Sequence, residues 1–361
     1  MSSGAPHLGA FAVDANDAQS RRAPAFSAPR AREDRVYNTS ELYRWMACSD
    51  PRSTRDLTRR PQTVTRIAQL TDPHVPSDIS LWRRLRDLMR LHGSASDLSL
   101  ELSAISNELS QPFRKQRKIY TNILKKALLG LRMLEVDHLI ITGDIAHCGL
   151  SSEFLEMKAA LSITGWWGKE RLTVIPGNHD RFNLYEEINS EPMEKYFDVV
   201  SSRKPRQKIL PGGIVLLELD SNADRVDDRH YMERWLPNTM GKIYPEALDS
   251  LEKTRAERAG CRVLTLIHHH VSMDWYPRQA SRDLGGLMIP AQGVDDLMAI
   301  ASLTDPDALI LHGHIHDVMP PGYLYKGHLV GNPGGFAESL RINLIDIDAN
   351  QDIILTQAKL R

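Results

Sequence analysis

The sequence predicts an α/β layered domain, and three observations carry that prediction. Short runs rich in Ile, Leu and Val recur at Val64–Leu70, His138–Thr142, Leu172–Ile175, Ile214–Leu219, Val263–Ile267 and Ala308–Leu311. Helical patterns separate several of them, as at Ile119–Leu134 and Glu153–Leu161. Each run ends in a polar cluster. Strands alternating with helices imply helices layered on a sheet, and in such folds chemistry gathers on the loops after the strands.

Composition narrows the class. The 361 residues are enough for one large domain with a substantial core. Charged residues make up 25%, and 45 Lys and Arg face 46 Asp and Glu, so global positive charge does not draw this chain to nucleic acid. Cys48, Cys148 and Cys261 are widely spaced and form no CxxC pair, which argues against a disulfide scaffold or a thiolate zinc site. No run approaches the length of a membrane span. Leu8–Val13 is too short and interrupted to serve as a secretion signal, so the expected location is the cytoplasm.

Taken in order, residues 1–62 read as a leader, mobile or loosely packed. Ala, Pro, Ser, Arg and Asp follow no period there, and Pro24, Pro29, Pro51 and Pro61 break the chain. One exception is Ser40–Cys48, where Ser40 suits the start of a helical turn carrying Leu42, Tyr43 and Trp45. The main domain is expected over 63–361. After its first strand comes Thr71-Asp72-Pro73-His74, followed by a basic helical insertion over 75–135. That insertion holds eleven Lys or Arg and six acids. Within it, Leu81–Leu91 sets Trp82, Leu85, Leu88 and Met89 against arginines. Phe113–Leu134 sets Ile119, Ile123, Ala127, Leu131 and Leu134 against Arg and Lys. Such helices can lie on an anionic membrane surface or pack their apolar stripe on the core; both readings stand, and the second is the commoner.

Four further clusters follow later strands: Gly143-Asp144, Gly177-Asn178-His179-Asp180, His268-His269-His270 and Gly313-His314-Ile315-His316. Singly, each is an ordinary turn or strand end. Together they offer carboxylates, one amide oxygen and several imidazoles on one sheet edge. Oxygen and nitrogen donors without thiolate suit Mn²⁺, Fe²⁺/Fe³⁺ or Zn²⁺. Their number over-supplies one ion and suits two that share a carboxylate.

The ordered set D-x-H, GD, GNHD, His and GHxH resembles the calcineurin-like metallophosphoesterases, from about Val64 to about Asp348. The resemblance implies a four-layer αββα sandwich. It implies one metal held by Asp72, His74, Asp144 and His316, and a second by Asp144, Asn178, His269 and His314. The middle block is ambiguous, because the first His after the strand would be His268. Placing Val271 at the family's usual Pro selects His269, which is the expected ligand. His312 reads as a buried residue beside the set. His179 is expected to face the substrate as the catalytic residue, and Asp180 either orients that loop or merely forms a turn.

Two metals would clamp a phosphoester and activate water, and no Walker A motif is present. The expected function is therefore a dinuclear phosphohydrolase, foremost a phosphodiesterase acting on cyclic nucleotides or similar small diesters. Alternatives are a phosphomonoesterase, or a UDP-lipid pyrophosphatase of the lipid A type working peripherally at a membrane through 81–134. A metal-bound scaffold is the non-enzyme alternative. The expected partner is a small or lipid-linked phosphoester, with no nucleic acid.

Overall fold

The apolar runs fold as strands with nearly the bounds their sequence predicts. A computed structural model describes residues 46–48, 63–76, 117–147, 149–181, 193–200, 204–222, 241–257, 261–272, 293–304 and 308–360. The chain divides into two units, Met1–Tyr37 and Asn38–Arg361, and every described residue belongs to the second. Its strands are β1 (Met46–Cys48), β2 (Thr63–Leu70), β3 (His138–Thr142), β4 (Leu172–Ile175), β5 (Arg206–Leu210) and β6 (Ile214–Glu218). They continue with β7 (Val263–Leu266), β8 (Leu309–Leu311), β9 (Tyr323–Tyr325), β10 (His328–Gly331), β11 (Arg341–Asp348) and β12 (Ile353–Leu360). The helices are α1 (Arg117–Met133), α2 (Ser151–Ile163), α3 (Pro245–Glu257), α4 (Val294–Thr304) and the single turn α5 (Phe336–Ser339).

Two six-stranded sheets result, in the orders β1-β12-β11-β2-β3-β4 and β5-β6-β7-β8-β10-β9. β2, β3 and β4 run parallel, as do β6, β7, β8 and β10. Successive side chains along a strand alternate faces, and the buried residues sort accordingly. Ile67, Ile140, Leu216, Leu264 and Leu266 meet between the sheets. Ala68, Leu70, Leu139 and Ile141 pack outward with residues of α1 and α2. Val215, Leu217 and Val263 pack outward with α3 and α4. Each central strand is thus apolar on both faces, which produces the four layers αββα.

α1 shows how a basic amphipathic helix is used here. Tyr120, Leu124, Ala127, Leu128 and Leu131 are buried in the outer core, each of the leucines contributing about 1.5–3 kcal/mol by the usual measure of side-chain burial. Ala127, Leu131 and Leu134 of the stripe read in the sequence lie in this seam, whereas Ile119 is exposed and Ile123 only partly buried, and Tyr120 and Leu124 fill the first turns instead. Two polar anchors turn the helix this way. The Tyr120 hydroxyl donates to Pro73 O, and Trp166 Nε1 donates to Leu128 O at 2.7 Å. Leu81–Leu91 lies outside the described residues. No helix among the described residues is long and apolar enough to cross a membrane.

One expectation is corrected. Met46–Cys48, read as the end of a helical turn, is a strand that pairs antiparallel with β12, Met46 opposite Leu360. The open edge of β12 presents main-chain groups that an extended segment satisfies and a helix cannot. The expected leader therefore supplies one strand to the first sheet; Ser40 and the rest of that turn lie outside the described residues.

Candidate metal centre

Parallel strands within each sheet end at the same edge, so the loops after β2, β3, β4, β7 and β8 converge. The backbone there leaves ordinary space. Asp72, His74, Asp144 and His314 have φ of 49°, 42°, 53° and 67°, left-handed values that cost non-glycine residues energy and cluster at functional sites. Close approach explains the glycines beside them. A Cβ on Gly143, itself at φ 95°, would lie 2.3 Å from His268 Nδ1, and one on Gly177 would lie 2.2 Å from Asp144 Oδ1.

The resulting cluster is dense, with Asp72, His74, Asp144, Asn178 and His268 buried. On one side, His74 Nε2 lies 3.1 Å from His316 Nε2, and His316 Nε2 lies 3.7 Å from Asp72 Oδ1. On the other, Asn178 Oδ1 is 3.0 Å from His314 Nδ1 and 3.0 Å from His268 Nε2. Asp144 joins the two, its Oδ2 being 3.8 Å from His74 Nε2 and 3.4 Å from His268 Nε2. Its Oδ1 accepts the backbone N–H of His179 at 2.8 Å.

In the middle block, His268 faces Asp144 and Asn178, and His269, the expected ligand, lies beside His314 with ring centroids 4.7 Å apart. His268 Nδ1 donates to Thr142 O at 2.7 Å, so its Nε2 is the atom left to face Asp144 and Asn178. The reason is strand parity. His268 falls on the face of β7 that Leu264 and Leu266 turn toward the first sheet, whereas His269 shares the parity of Ile267, which packs outward. His269 instead places Nδ1 2.7 Å from Ser221 Oγ, and the His270 ring stacks on that of His314 at 5.7 Å. His312 is fully buried, its Nδ1 2.9 Å from Gly313 O.

Charge in the cluster follows from burial and proximity. Burial raises the Asp72 carboxyl to about 6, against the pull of His268 and His316. Burial also acts to raise Asp144, but His268, His179 and His74 outweigh it and hold Asp144 well below the usual range. His268 and His316 resist burial because carboxylates surround them, and each stands near 9. Burial and neighbouring imidazoles push His74 and His314 well down, which keeps both rings neutral.

These residues fit divalent ions. Asn178 Oδ1 and the Asp144 oxygens are acceptors, and His268 Nε2 in its neutral form is another. Acceptors converging in a buried space require positive charge among them, a proton or a cation. Donor atoms of Asp72, Asp144 and His268 lie within 4.8 Å of one another, as do those of Asp72, His74 and His316.

His179 stands at the border of the cluster, in a 3₁₀ turn that spans His179–Arg181. Its Nδ1 donates to His147 O at 2.8 Å, which leaves Nε2 directed elsewhere, and its ring centroid is 4.7 Å from that of His74. Burial lowers its proton affinity. Asp180 orients the loop: its two oxygens accept Ala146 N–H at 2.8 Å and Gly177 N–H at 2.9 Å. It thereby joins the Gly143-Asp144 loop to the Gly177 loop. Sequence reading missed His147, whose ring stacks on His179 at 5.5 Å. Its signal was its place three residues after Asp144. It also missed Glu338, whose Oε1 is 3.2 Å from His316 Nδ1.

A two-sheet αββα fold with carboxylates, an amide and imidazoles packed at the strand ends defines a metal-dependent hydrolase. Residues 65–318 match the calcineurin-like phosphoesterase family, and the chain belongs to that family of phosphoric ester hydrolases. Among solved structures, it is similar to a dimetal phosphatase of Danio rerio, at 12% identity and TM-score 0.52, covering 82% of this chain and 96% of that one. The sulfate thiohydrolase SoxB of Thermus thermophilus aligns at 15% identity and TM-score 0.45, over 84% of this chain and 57% of that one. No curated protein matches.

Proposed function

We propose that Asp72, His74, Asp144 and His316 hold one divalent ion and Asp144, Asn178, His268 and His314 a second, and that the substrate is a small phosphodiester, cyclic nucleotides foremost. The observation that carries this reading is Asp144 standing between two groups of converging donors. Mn²⁺, iron and Zn²⁺ all suit such a donor set. Two such ions, when bound, supply charge for the phosphoryl oxygens and lower the pKa of a water.

The remaining chemistry belongs to the chain. With its Nδ1 proton fixed on His147 O, His179 offers Nε2 to whatever enters beside His74. An anionic phosphoryl group there raises the proton affinity of the imidazole, so that Nε2–H can donate to the leaving oxygen. A diester suits the charge available. The nearby guanidinium of Arg181 is bound by Asp220 at 3.0 Å and by Glu194, so it is spent rather than held ready for a monoester dianion.

For the lipid-linked alternative, the membrane would be met through 81–134. The apolar seam of α1 is used within the core, so that contact would rest on its basic side chains and on residues outside the described set.

Hydrolysis of bis-p-nitrophenyl phosphate and p-nitrophenyl phosphate by Mn²⁺-loaded protein, side by side, tests the reading. Faster cleavage of the diester supports it. Preference for the monoester makes the chain a phosphomonoesterase instead, and inactivity on both turns attention to UDP-linked pyrophosphates.

A further inference from the structure

We propose that Glu338 is a positioning residue for His316, supplied by a C-terminal turn that lies beyond the region matching the family. The inference rests on the reading of His316 as a metal ligand. A metal-ligating imidazole commonly donates its other ring N–H to a partner that fixes the ring and its tautomer, and a carboxylate does this well. His316 Nε2 faces His74 and Asp72 at 3.1 and 3.7 Å, while its Nδ1 lies 3.2 Å from Glu338 Oε1. Glu338 thus accepts a hydrogen bond from Nδ1–H and turns Nε2, with its lone pair, inward.

The turn that carries Glu338 is fastened to the loops it serves. Phe336 N–H donates to Thr71 O at 2.9 Å, next to Asp72, and Gly335 N–H donates to His316 O at 3.2 Å. Asn332 Nδ2 donates to Ile315 O at 2.8 Å, and its Oδ1 accepts Gly334 N–H at 2.9 Å. Gly335 leaves the room the pair needs. A Cβ there would stand 2.4 Å from Glu338 Oε2 and 2.9 Å from His316 Cγ. The segment after β10 therefore does more than return the chain to β11; it sets the angle of one imidazole. The family match ends at residue 318, so no motif within the matched region supplies this carboxylate.

Mn²⁺ binding by equilibrium dialysis, with the bound metal counted per chain, tests this on wild type, Glu338→Ala, Glu338→Gln and His316→Ala. Removing such an outer partner costs about 10–100-fold in metal affinity. The expected result is that Glu338→Ala weakens one of two ions by that factor and leaves the other. Glu338→Gln should recover most of the loss, because its amide oxygen still accepts Nδ1–H. Wild-type binding of both ions by Glu338→Ala overturns the proposal. Equal loss in the Ala and Gln variants also overturns it, in favour of a carboxylate that coordinates directly. If His316→Ala binds both ions normally, the failure lies instead with the ligand reading of His316. Circular dichroism melts of all four proteins separate these outcomes from loss of fold. Gly335→Ala gives an independent check, with Glu338 intact but crowded, and should weaken the same ion.

Discussion

The two halves of the cluster are built by different means. In the deep half, His268 is fully buried, its Nδ1 tied to the carbonyl of Thr142 at 2.7 Å while its own carbonyl accepts Gly313 N–H at 3.0 Å. Its orientation is set by main chain at the ends of β3 and β8. In the mouth half, the His316 side chain is 37% exposed and its Nδ1 partner is the side chain of Glu338, itself 37% exposed. Strand backbone in a close-packed interior has little freedom, whereas two partly exposed side chains, one on a loop and one on a single turn of helix, retain more rotamer choice. Main chain thus sets the deep half, and a side-chain pair sets the mouth half.

The largest effect should come from the residue the halves share. Asp144→Ala removes a donor from both, so metal content should collapse and diester turnover fall by at least about 10³-fold. Metal analysis beside a kinetic assay checks this, and wild-type turnover in the variant would break the dinuclear reading.

The next substitution separates neighbours within the deep half. His268→Gln should lose at least about 100-fold in affinity for one ion, more than outer partners cost. His269→Gln should lose less than about 10-fold, since its Nδ1 faces Ser221. The reverse order, read by metal titration, would make His269 the ligand.

A smaller effect should follow from the brace that unites the Gly143 and Gly177 loops. Asp180→Asn keeps one acceptor but points an N–H₂ group at a backbone N–H, against the present bonds of 2.8 and 2.9 Å. The expected loss is about 1–3 kcal/mol of unfolding free energy, measured in urea, with a fall in kcat. Unchanged stability would show that the loops hold without this brace.

What could be read in the sequence divides along the same line. The strands buried on both faces announced themselves, since β3 and β4 need continuous apolar runs, and the polar groups after them followed from strand ends. Edge and hairpin strands did not. β5 reads Arg-Gln-Lys-Ile-Leu, with little apolar signal, and β9 is three residues whose pairing with β10 depends on tertiary contacts. The position of His268 was legible too, since the two-residue period of β7 puts it with Leu264 and Leu266. Glu338 was not legible. It sits on one turn of helix, after a sharp return, and only the folded backbone brings it to His316.

The far end of β3 offers the gentlest test, since it lies away from the cluster on a strand that serves it. His138 is 2% exposed; its Nδ1 donates to Glu170 O at 3.2 Å and its Nε2 accepts from Thr173 Oγ1 at 2.9 Å. Burial, and then the charge of Lys208, lower its pKa from 6.5 to about 3. Above pH 6.5 the imidazole is neutral folded or unfolded and adds nothing to the pH dependence. Between about 6.5 and 3 only the unfolded chain takes up the proton, so stability falls with pH by up to about 1.4 kcal/mol per unit from this group. His138→Gln has no proton to gain. Its urea midpoint should therefore decline less than that of wild type between pH 6.5 and 4. Parallel profiles would mean that His138 is already protonated in the folded protein, and that the interior at this end of β3 is wetter than its packing implies.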